Sequence, residues 1–192
     1  MPIKRIHRRN INEPGHAHEL TFSCYRRLPL LDCDRIRGFL ADSINAAKVE
    51  LDFAVWAYVF MPEHVHVIVY PRHVEYDIAA IRKAIKEPAA RRALNRLRME
   101  HSEWLPQLER KRGDRSESLF WQFGGGYDRN IESAKVLRAA IEYIHLNPVR
   151  RGLADHATDW KWSSAAFLAD QGPSPVQIDP IPSEWLTMPS HD

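Results

Sequence analysis

The segment from residue 55 to residue 70 constrains the fold most strongly. It contains two runs rich in β-branched and aromatic residues, VWAYVF and HVHVIVY, which are separated only by the tripeptide MPE. A connection of three residues joins neighbouring antiparallel strands, so the two runs predict a β-hairpin. In the second strand, alternation puts three valines on one face and His64 and His66 on the other. The hairpin therefore predicts a sheet with one face suited to covering helices and one face that bears two imidazoles.

The other periodicities predict an α+β domain built around this hairpin. We expect further strands over residues 19–25 and 118–123. We expect helices over residues 34–50, 77–98 and 133–147. Pro88 is expected to break or bend the second helix, and residues 124–130 to form a loop. The order of elements matches a ferredoxin-like split βαβ fold with a central antiparallel sheet, followed by a C-terminal helix that carries Tyr143.

Charge is distributed unevenly along the 192 residues, although the net charge is only +2. Residues 1–9 carry +4, residues 72–115 carry twelve bases against seven acids, and residues 152–192 carry one base against six acids. We predict one domain over residues 1–168 with a basic arm at 1–15, and a Pro-rich, acidic, irregular tail at 169–192. A basic arm and a basic helix suit nucleic acid, and ordinary solvated helix faces are the alternative.

Two pairs of side chains on these elements suggest chemistry. His64 and His66 lie two residues apart on one strand, which is a suitable spacing for two ligands of one divalent metal. The alternative is a pair of exposed strand histidines, and the chain has a second such pair in His16 and His18. On the last helix, Tyr143 and Asn147 are four residues apart and share a face. The alternative there is a core tyrosine followed by Asn147 as the helix C-cap.

Four motifs in order resemble those of one family. MPEHVHV (61–67) resembles the strand signature of the HUH single-tyrosine transposases, and YIHLNPVRRGL (143–153) resembles the end of their tyrosine helix. FWQ (120–122) with YDR (127–129) is similar to the loop before that helix, and WKWSS (160–164) is similar to their closing motif. The set resembles REP-associated tyrosine transposases in particular, over most of the chain from about residue 18 to residue 164.

The resemblance implies an enzyme that nicks and rejoins single-stranded DNA by transesterification through a 5′-phosphotyrosine. It implies that Tyr143 is the nucleophile, that His64 and His66 bind Mg²⁺ or Mn²⁺, and that Asn147 completes the metal site. Tyr127, in the glycine-rich loop, is the competing nucleophile. The implied substrate is a hairpin formed by REP-like palindromes.

The basic residues are the candidates for holding this DNA: Lys4, Arg5, Arg8, Arg9, Arg26, Arg27, Arg129, Arg150 and Arg151. Trp56, Tyr58 and Trp121 are candidates for stacking on unpaired bases, or else belong to the core. Two cysteines make no disulfide framework, and no apolar run reaches the ~18 residues of a membrane span. These two features predict a cytoplasmic protein without a membrane partner. The resemblance implies a bacterial, nucleoid-associated protein that is a monomer rather than a dimer.

Three other functions stay open at this point. The first is a DNA-hairpin-binding regulator that has lost its chemistry, and the second is an active insertion-sequence transposase. The third is an RNA-binding module with a ferredoxin-like fold, since that fold serves many functions.

Overall fold

The structure is a computed structural model that describes residues 12–113, 115–124 and 126–186. Four of the predicted DNA-binding residues, Lys4, Arg5, Arg8 and Arg9, lie outside the described residues.

The described strands are β1 (Ala17–Ser23), β2 (Phe53–Phe60), β3 (His64–Pro71), β4 (Glu109–Arg112), β5 (Arg115–Ser118) and β6 (Tyr127–Ile131). A four-stranded sheet has the order β2-β3-β1-β6, and every neighbouring pair is antiparallel. β4 and β5 form a separate two-stranded ribbon. The order of the four-stranded sheet is that of a ferredoxin-like split βαβ arrangement, so the predicted fold class is confirmed.

The described α-helices are α1 (Asp34–Glu50), α2 (Ile78–Met99), α3 (Leu105–Leu108), α4 (Ala134–His145), α5 (Asn147–Arg150) and α6 (Ala165–Leu168). Within the described ranges, no helix combines the length and the apolar character that crossing a membrane requires.

Each face of the sheet has its own core. Val65, Val67 and Val69 of β3 pack in the cluster that contains the buried faces of α1 and α2. Ile68, between two of these valines, packs on the opposite face with the buried residues of α4. The alternation predicted for β3 is therefore confirmed, and α4 lies on the face that carries the histidines.

The prediction of the edge strand was wrong. The strand that pairs with β1 is β6, Tyr127–Ile131, which falls mostly in the predicted loop. In the segment predicted as a strand, Ser118 is the last residue of β5 and Trp121 makes an isolated bridge to Cys24. Phe120 and Trp121 give the segment its strand-like composition, but their side chains are buried in the core next to α2. β6 is held by side chains far away in sequence, including the 2.9 Å contact between Asp128 Oδ1 and His18 Nδ1.

The prediction that Pro88 breaks α2 was also wrong, because the helix runs without interruption from Ile78 to Met99. Proline removes one backbone hydrogen bond from a helix interior. The buried stripe of α2 extends on both sides of Pro88, from Ile78 and Ile81 to Ala93 and Leu97. Burial of this stripe against the core offsets the lost hydrogen bond.

The C-terminal part of the described chain follows the free edge of β2. The closing motif WKWSS pairs there, since Phe60 N–H donates to Trp162 O (2.8 Å) and Ser164 N–H donates to Tyr58 O (3.1 Å). Further on, the Asp179 carboxylate accepts a hydrogen bond from Val55 N–H (2.8 Å), and Asp179 N–H donates to the Val55 carbonyl (2.9 Å). The segment is irregular as predicted, and at these points it is packed against the domain.

Candidate active site

The helix α4 brings Tyr143 next to the two histidines of β3. The ring centroids of His64 and His66 are 5.0 Å apart, and the ring of Tyr143 lies edge-on to His66 at 5.9 Å. Leu137, Ala140 and Ile144 hold α4 on the sheet through its buried stripe. Tyr143 is 48% exposed, which leaves its phenol accessible to a ligand.

Each histidine contacts a buried carboxylate through its Nδ1 atom. His64 Nδ1 lies 3.1 Å from Glu63 Oε1, and His66 Nδ1 lies 3.2 Å from Glu19 Oε1 and 2.9 Å from Thr21 Oγ1. A carboxylate accepts the N–H of a neutral imidazole, so these contacts favour the tautomer with the proton on Nδ1. In that tautomer the lone pair of each Nε2 is available to a ligand.

Each of these carboxylates is also paired with a predicted DNA-binding arginine. Arg151 Nη1 donates to Glu63 Oε1 at 2.6 Å, and Arg129 Nε lies 3.5 Å from Glu19 Oε2. The site therefore contains two parallel chains of the type arginine, glutamate, histidine. Arg129 and Arg151 have intramolecular partners, and in this arrangement they balance the charge of the two glutamates.

The surroundings keep His64 neutral and Glu63 ionised. Burial, together with the neighbouring charge of His66, lowers the pKa of His64 to about 4. Burial alone raises the pKa of Glu63, but the hydrogen bond and the positive charge of Arg151 counteract it, and the pKa lies below its usual value. A neutral imidazole beside an ionised carboxylate is the pairing that metal-binding histidines use.

Asn147 and Arg150 lie beyond the end of the tyrosine helix. α4 ends at His145, two residues earlier than predicted, and Asn147 is the first residue of α5. Its Nδ2 donates to the carbonyl of Tyr143 at 3.0 Å, which leaves its Oδ1 for another partner. The Arg150 guanidinium lies 5.2 Å above the Tyr143 ring. Both side chains are thus attached to the turn that bears the phenol.

The types of donor atom predicted for the metal site suit a divalent metal that accepts nitrogen ligands. The available donors are Nε2 of His64, Nε2 of His66 and Oδ1 of Asn147, and the two imidazoles are oriented by carboxylates as bound histidines usually are. In the described part of the chain, no group of three or more His, Cys, Asp or Glu side chains is arranged to hold a metal ion. The predicted site depends instead on two imidazoles and an amide.

The remaining predicted DNA contacts are at the end of β1. Arg26 and Arg27 are exposed, and both have left-handed backbone angles, with φ of 54° and 57°. Such angles are uncommon for residues other than glycine. Tyr127, the competing nucleophile, is 40% exposed on β6 directly opposite Thr21.

Of the two alternatives left open for Trp56, Tyr58 and Trp121, the structure supports core packing and not base stacking. Trp56 and Tyr58 are fully buried in β2, and Trp121 is 7% exposed. In the second histidine pair, His16 and His18, both ring nitrogens of His18 already have protein partners. His18 is buried between Asp128 Oδ1 (2.9 Å) and the Tyr76 hydroxyl (2.7 Å), where it joins β1 to its neighbours.

His145 links the tyrosine helix to the closing motif. Its Nε2 lies 2.8 Å from Ser164 Oγ, which also accepts a hydrogen bond from Tyr58 N–H at 2.9 Å. Burial lowers the pKa of His145 to about 4, so the ring is neutral. This contact joins two motifs that are distant in sequence.

Three residues of the site, Glu19, Thr21 and Glu63, were not predicted from the sequence. Thr21 is directly opposite His66 in the register of β1 and β3, and Glu19 lies two residues away on the same face. A glutamate at the start of the predicted strand ELTFSCY is the signal in the sequence, because a carboxylate that becomes buried in a sheet needs a partner. Glu63 comes directly before His64, and its exposed fraction is only 8%.

Comparison with known proteins agrees with these motifs. No family model matches the sequence. A protein of Haemophilus influenzae named "Putative REP-associated tyrosine transposase" is 27% identical over 163 residues, which are 79% of this chain and 81% of that protein. The chain resembles the REP-associated tyrosine transposases.

A solved structure of a REP-associated tyrosine transposase bound to a REP hairpin has the same fold. The TM-score is 0.63 at 21% sequence identity, and the match covers 95% of this chain and 94% of that chain. The resemblance to REP-associated tyrosine transposases that the four motifs indicated is therefore confirmed.

Proposed function

We propose that this protein is a metal-dependent DNA strand transferase that uses Tyr143 to nick and rejoin single-stranded DNA beside a hairpin. One observation carries the proposal. Tyr143, His66 and His64 come from two motifs about 80 residues apart in sequence, and the distances between neighbouring rings are only 5.9 Å and 5.0 Å. A half-exposed phenol beside two oriented imidazoles is suited to phosphoryl transfer.

The reaction is a transesterification at phosphorus. The Tyr143 oxygen attacks the scissile phosphate, a bond forms between this oxygen and phosphorus, and the bond from phosphorus to the 3′ oxygen breaks. The phenol loses its proton and the released 3′ oxygen gains one, which gives a 5′-phosphotyrosine and a free 3′-OH. Because one ester replaces another, a 3′-OH can reverse the step and rejoin the strand.

The metal site would consist of Nε2 of His64, Nε2 of His66 and Oδ1 of Asn147. A bound Mg²⁺ or Mn²⁺ supplies polarisation of the phosphate and stabilises charge on the leaving oxygen. These ligands carry no charge, so they leave the positive charge of the ion for the substrate. Two nitrogen donors favour manganese over magnesium, which prefers oxygen.

The proposed substrate is a hairpin of a palindromic repeat, as in the solved relative that is bound to a REP hairpin. We propose that this DNA is chromosomal, that the protein acts in the bacterial cytoplasm, and that it acts as a monomer. The packing of α4 supports a monomer, because it brings Tyr143 to histidines of the same chain. Size-exclusion chromatography with light scattering tests this state.

A covalent-capture assay tests the proposal. A labelled oligonucleotide with a hairpin and single-stranded arms is incubated with protein and Mn²⁺, and adducts are separated on a denaturing gel. We expect an adduct with the wild type and with the control Tyr127→Phe, and none with Tyr143→Phe or in EDTA. An adduct with Tyr143→Phe would overturn the assignment. Hairpin binding without any adduct would instead establish a regulator that has lost its chemistry.

A further inference from the structure

Two clefts at the end of β1 lie outside the site described above. The larger, about 480 Å³, lies between α2 and residues 118–124, and the smaller, about 200 Å³, begins at Thr21 and Tyr127. Gln122 and Phe123 line both clefts, so the two clefts adjoin at these residues, and we refer to the pair as the groove. The groove starts next to the metal ligands, since Thr21 Oγ1 is 2.9 Å from His66 Nδ1.

Among the described residues, Lys86, which lines the larger cleft, has no acidic partner. Lys86 Nζ lies 5.5 Å above the Phe22 ring and 3.4 Å from the carbonyl of Gly124. In the described ranges no carboxylate pairs with it, and Glu87, which also lines the cleft, is 3.9 Å from Lys83. A partly buried ammonium without an anion is costly, and it creates a site where an anion binds favourably.

Burial and the neighbouring charge of Arg82 lower the pKa of Lys86 to about 8. An anion bound beside the Lys86 ammonium would offset the repulsion from Arg82, because its negative charge would lie close to both side chains. Lysines with a perturbed pKa in a cleft are frequent at binding sites.

An exposed aromatic ring lies where the two clefts adjoin. Phe123 is 66% exposed, and the Arg110 guanidinium lies 4.8 Å from the centre of its ring. An exposed phenylalanine beside a guanidinium suits a base that stacks on the ring while the backbone phosphates meet the positive charge. At about 480 Å³, the larger cleft has the size of a small-ligand site.

We propose that this groove binds the single-stranded DNA that continues from the scissile phosphate, with a phosphate at Lys86 and a base stacked on Phe123. The proposal rests on the proposed function, because it takes the strand at Tyr143 as its starting point. It assigns the groove to the single-stranded arm of the substrate and not to the hairpin stem.

Equilibrium binding measurements, which do not require DNA cleavage, test whether the groove binds the single-stranded arm. We use fluorescence anisotropy in EDTA, in the Tyr143→Phe background, with a blunt hairpin and with the same hairpin carrying single-stranded arms. Lys86→Met and Phe123→Ala each lower the affinity for the armed hairpin ~10-fold and leave the blunt hairpin unchanged. Lys86→Met also reduces the salt dependence of armed-hairpin binding by about 0.7 in log–log slope. The charge-matched control Lys161→Met, on a surface lysine paired with Asp34, changes neither.

Two results would overturn the proposal. The groove is not the arm-binding site if both variants bind the armed hairpin within about twofold of the parent, or if they lose affinity equally for both DNAs. Failure of the parent to bind either DNA would refute the proposed function as well. Covalent capture at Tyr143 with unaltered binding by both groove variants would refute the groove alone.

Discussion

Replacing Lys86 by methionine should stabilise the protein while it weakens DNA binding. The pKa of Lys86 falls from 10.5 to about 8 in the folded state through burial and through the charge of Arg82. At about 1.4 kcal/mol per pKa unit, the protonated amine costs the folded state about 3 kcal/mol at neutral pH. Methionine fills a similar volume without this cost, so the free energy of unfolding should rise by up to ~3 kcal/mol, or roughly 5–10 °C in Tm.

The difference in stability between the wild type and Lys86→Met should depend on pH with a definite sign. Between about pH 8 and pH 10.5 the unfolded chain keeps the Lys86 proton that the folded chain has released. The stability of the wild type therefore rises with pH across this window relative to that of Lys86→Met. The greater stability of Lys86→Met should be largest near pH 7 and should disappear by about pH 10.5. The contributions of all other titrating groups are the same in both proteins and cancel in this comparison.

Urea unfolding followed by circular dichroism measures this difference at about pH 7 and about pH 10. The control Lys83→Met, three residues earlier on α2, removes an exposed lysine and should change the stability by less than ~0.5 kcal/mol. A variant that is less stable than the wild type at pH 7, or an advantage that does not change with pH, would refute the reasoning. A gain in stability with a loss of DNA affinity also excludes misfolding as the cause of weaker binding.

Three further predictions concern the site and its supports. Glu63→Gln replaces the carboxylate that orients His64, and calorimetry should show Mn²⁺ binding weakened ~10-fold or more, whereas an unchanged affinity would exclude this role. Gly126→Ala puts a Cβ only 2.2 Å from the Thr21 carbonyl at a φ of +75°, so thermal unfolding should show a loss of ~2 kcal/mol or more. Trp185→Ala removes a ring 5.2 Å from that of Trp56 and should cost about 2 kcal/mol in urea unfolding, and no loss would mean that the C-terminal segment does not support the domain.

Local patterns predicted the elements whose burial follows from their own sequence. The helix over residues 34–50 and the hairpin of β2 and β3 are found as expected, because their apolar periodicity faces a core directly. β6 was missed because its residues, YDRNI, are mostly polar and follow a glycine-rich loop. Its stability as a strand depends on distant partners such as His18 and Glu19, which no local pattern reveals.

The site could be predicted in part. The motifs indicated Tyr143 and the two histidines, and the structure brings these residues together. The carboxylates behind the histidines depend on the strand register, since Glu19 and Thr21 reach His66 only through the pairing of β1 with β3. The groove is formed by packing between α2 and residues 118–124. It could not be predicted because that segment was predicted to be a strand.

The attachment site of DNA on the protein tests the central claim most directly. The covalent adduct formed with an armed hairpin and Mn²⁺ is digested with nuclease and protease, and the modified peptide is sequenced by mass spectrometry. We predict a nucleotide joined through its 5′-phosphate to Tyr143. A nucleotide on Tyr127 or any other residue, or a linkage through a 3′-phosphate, would contradict the account.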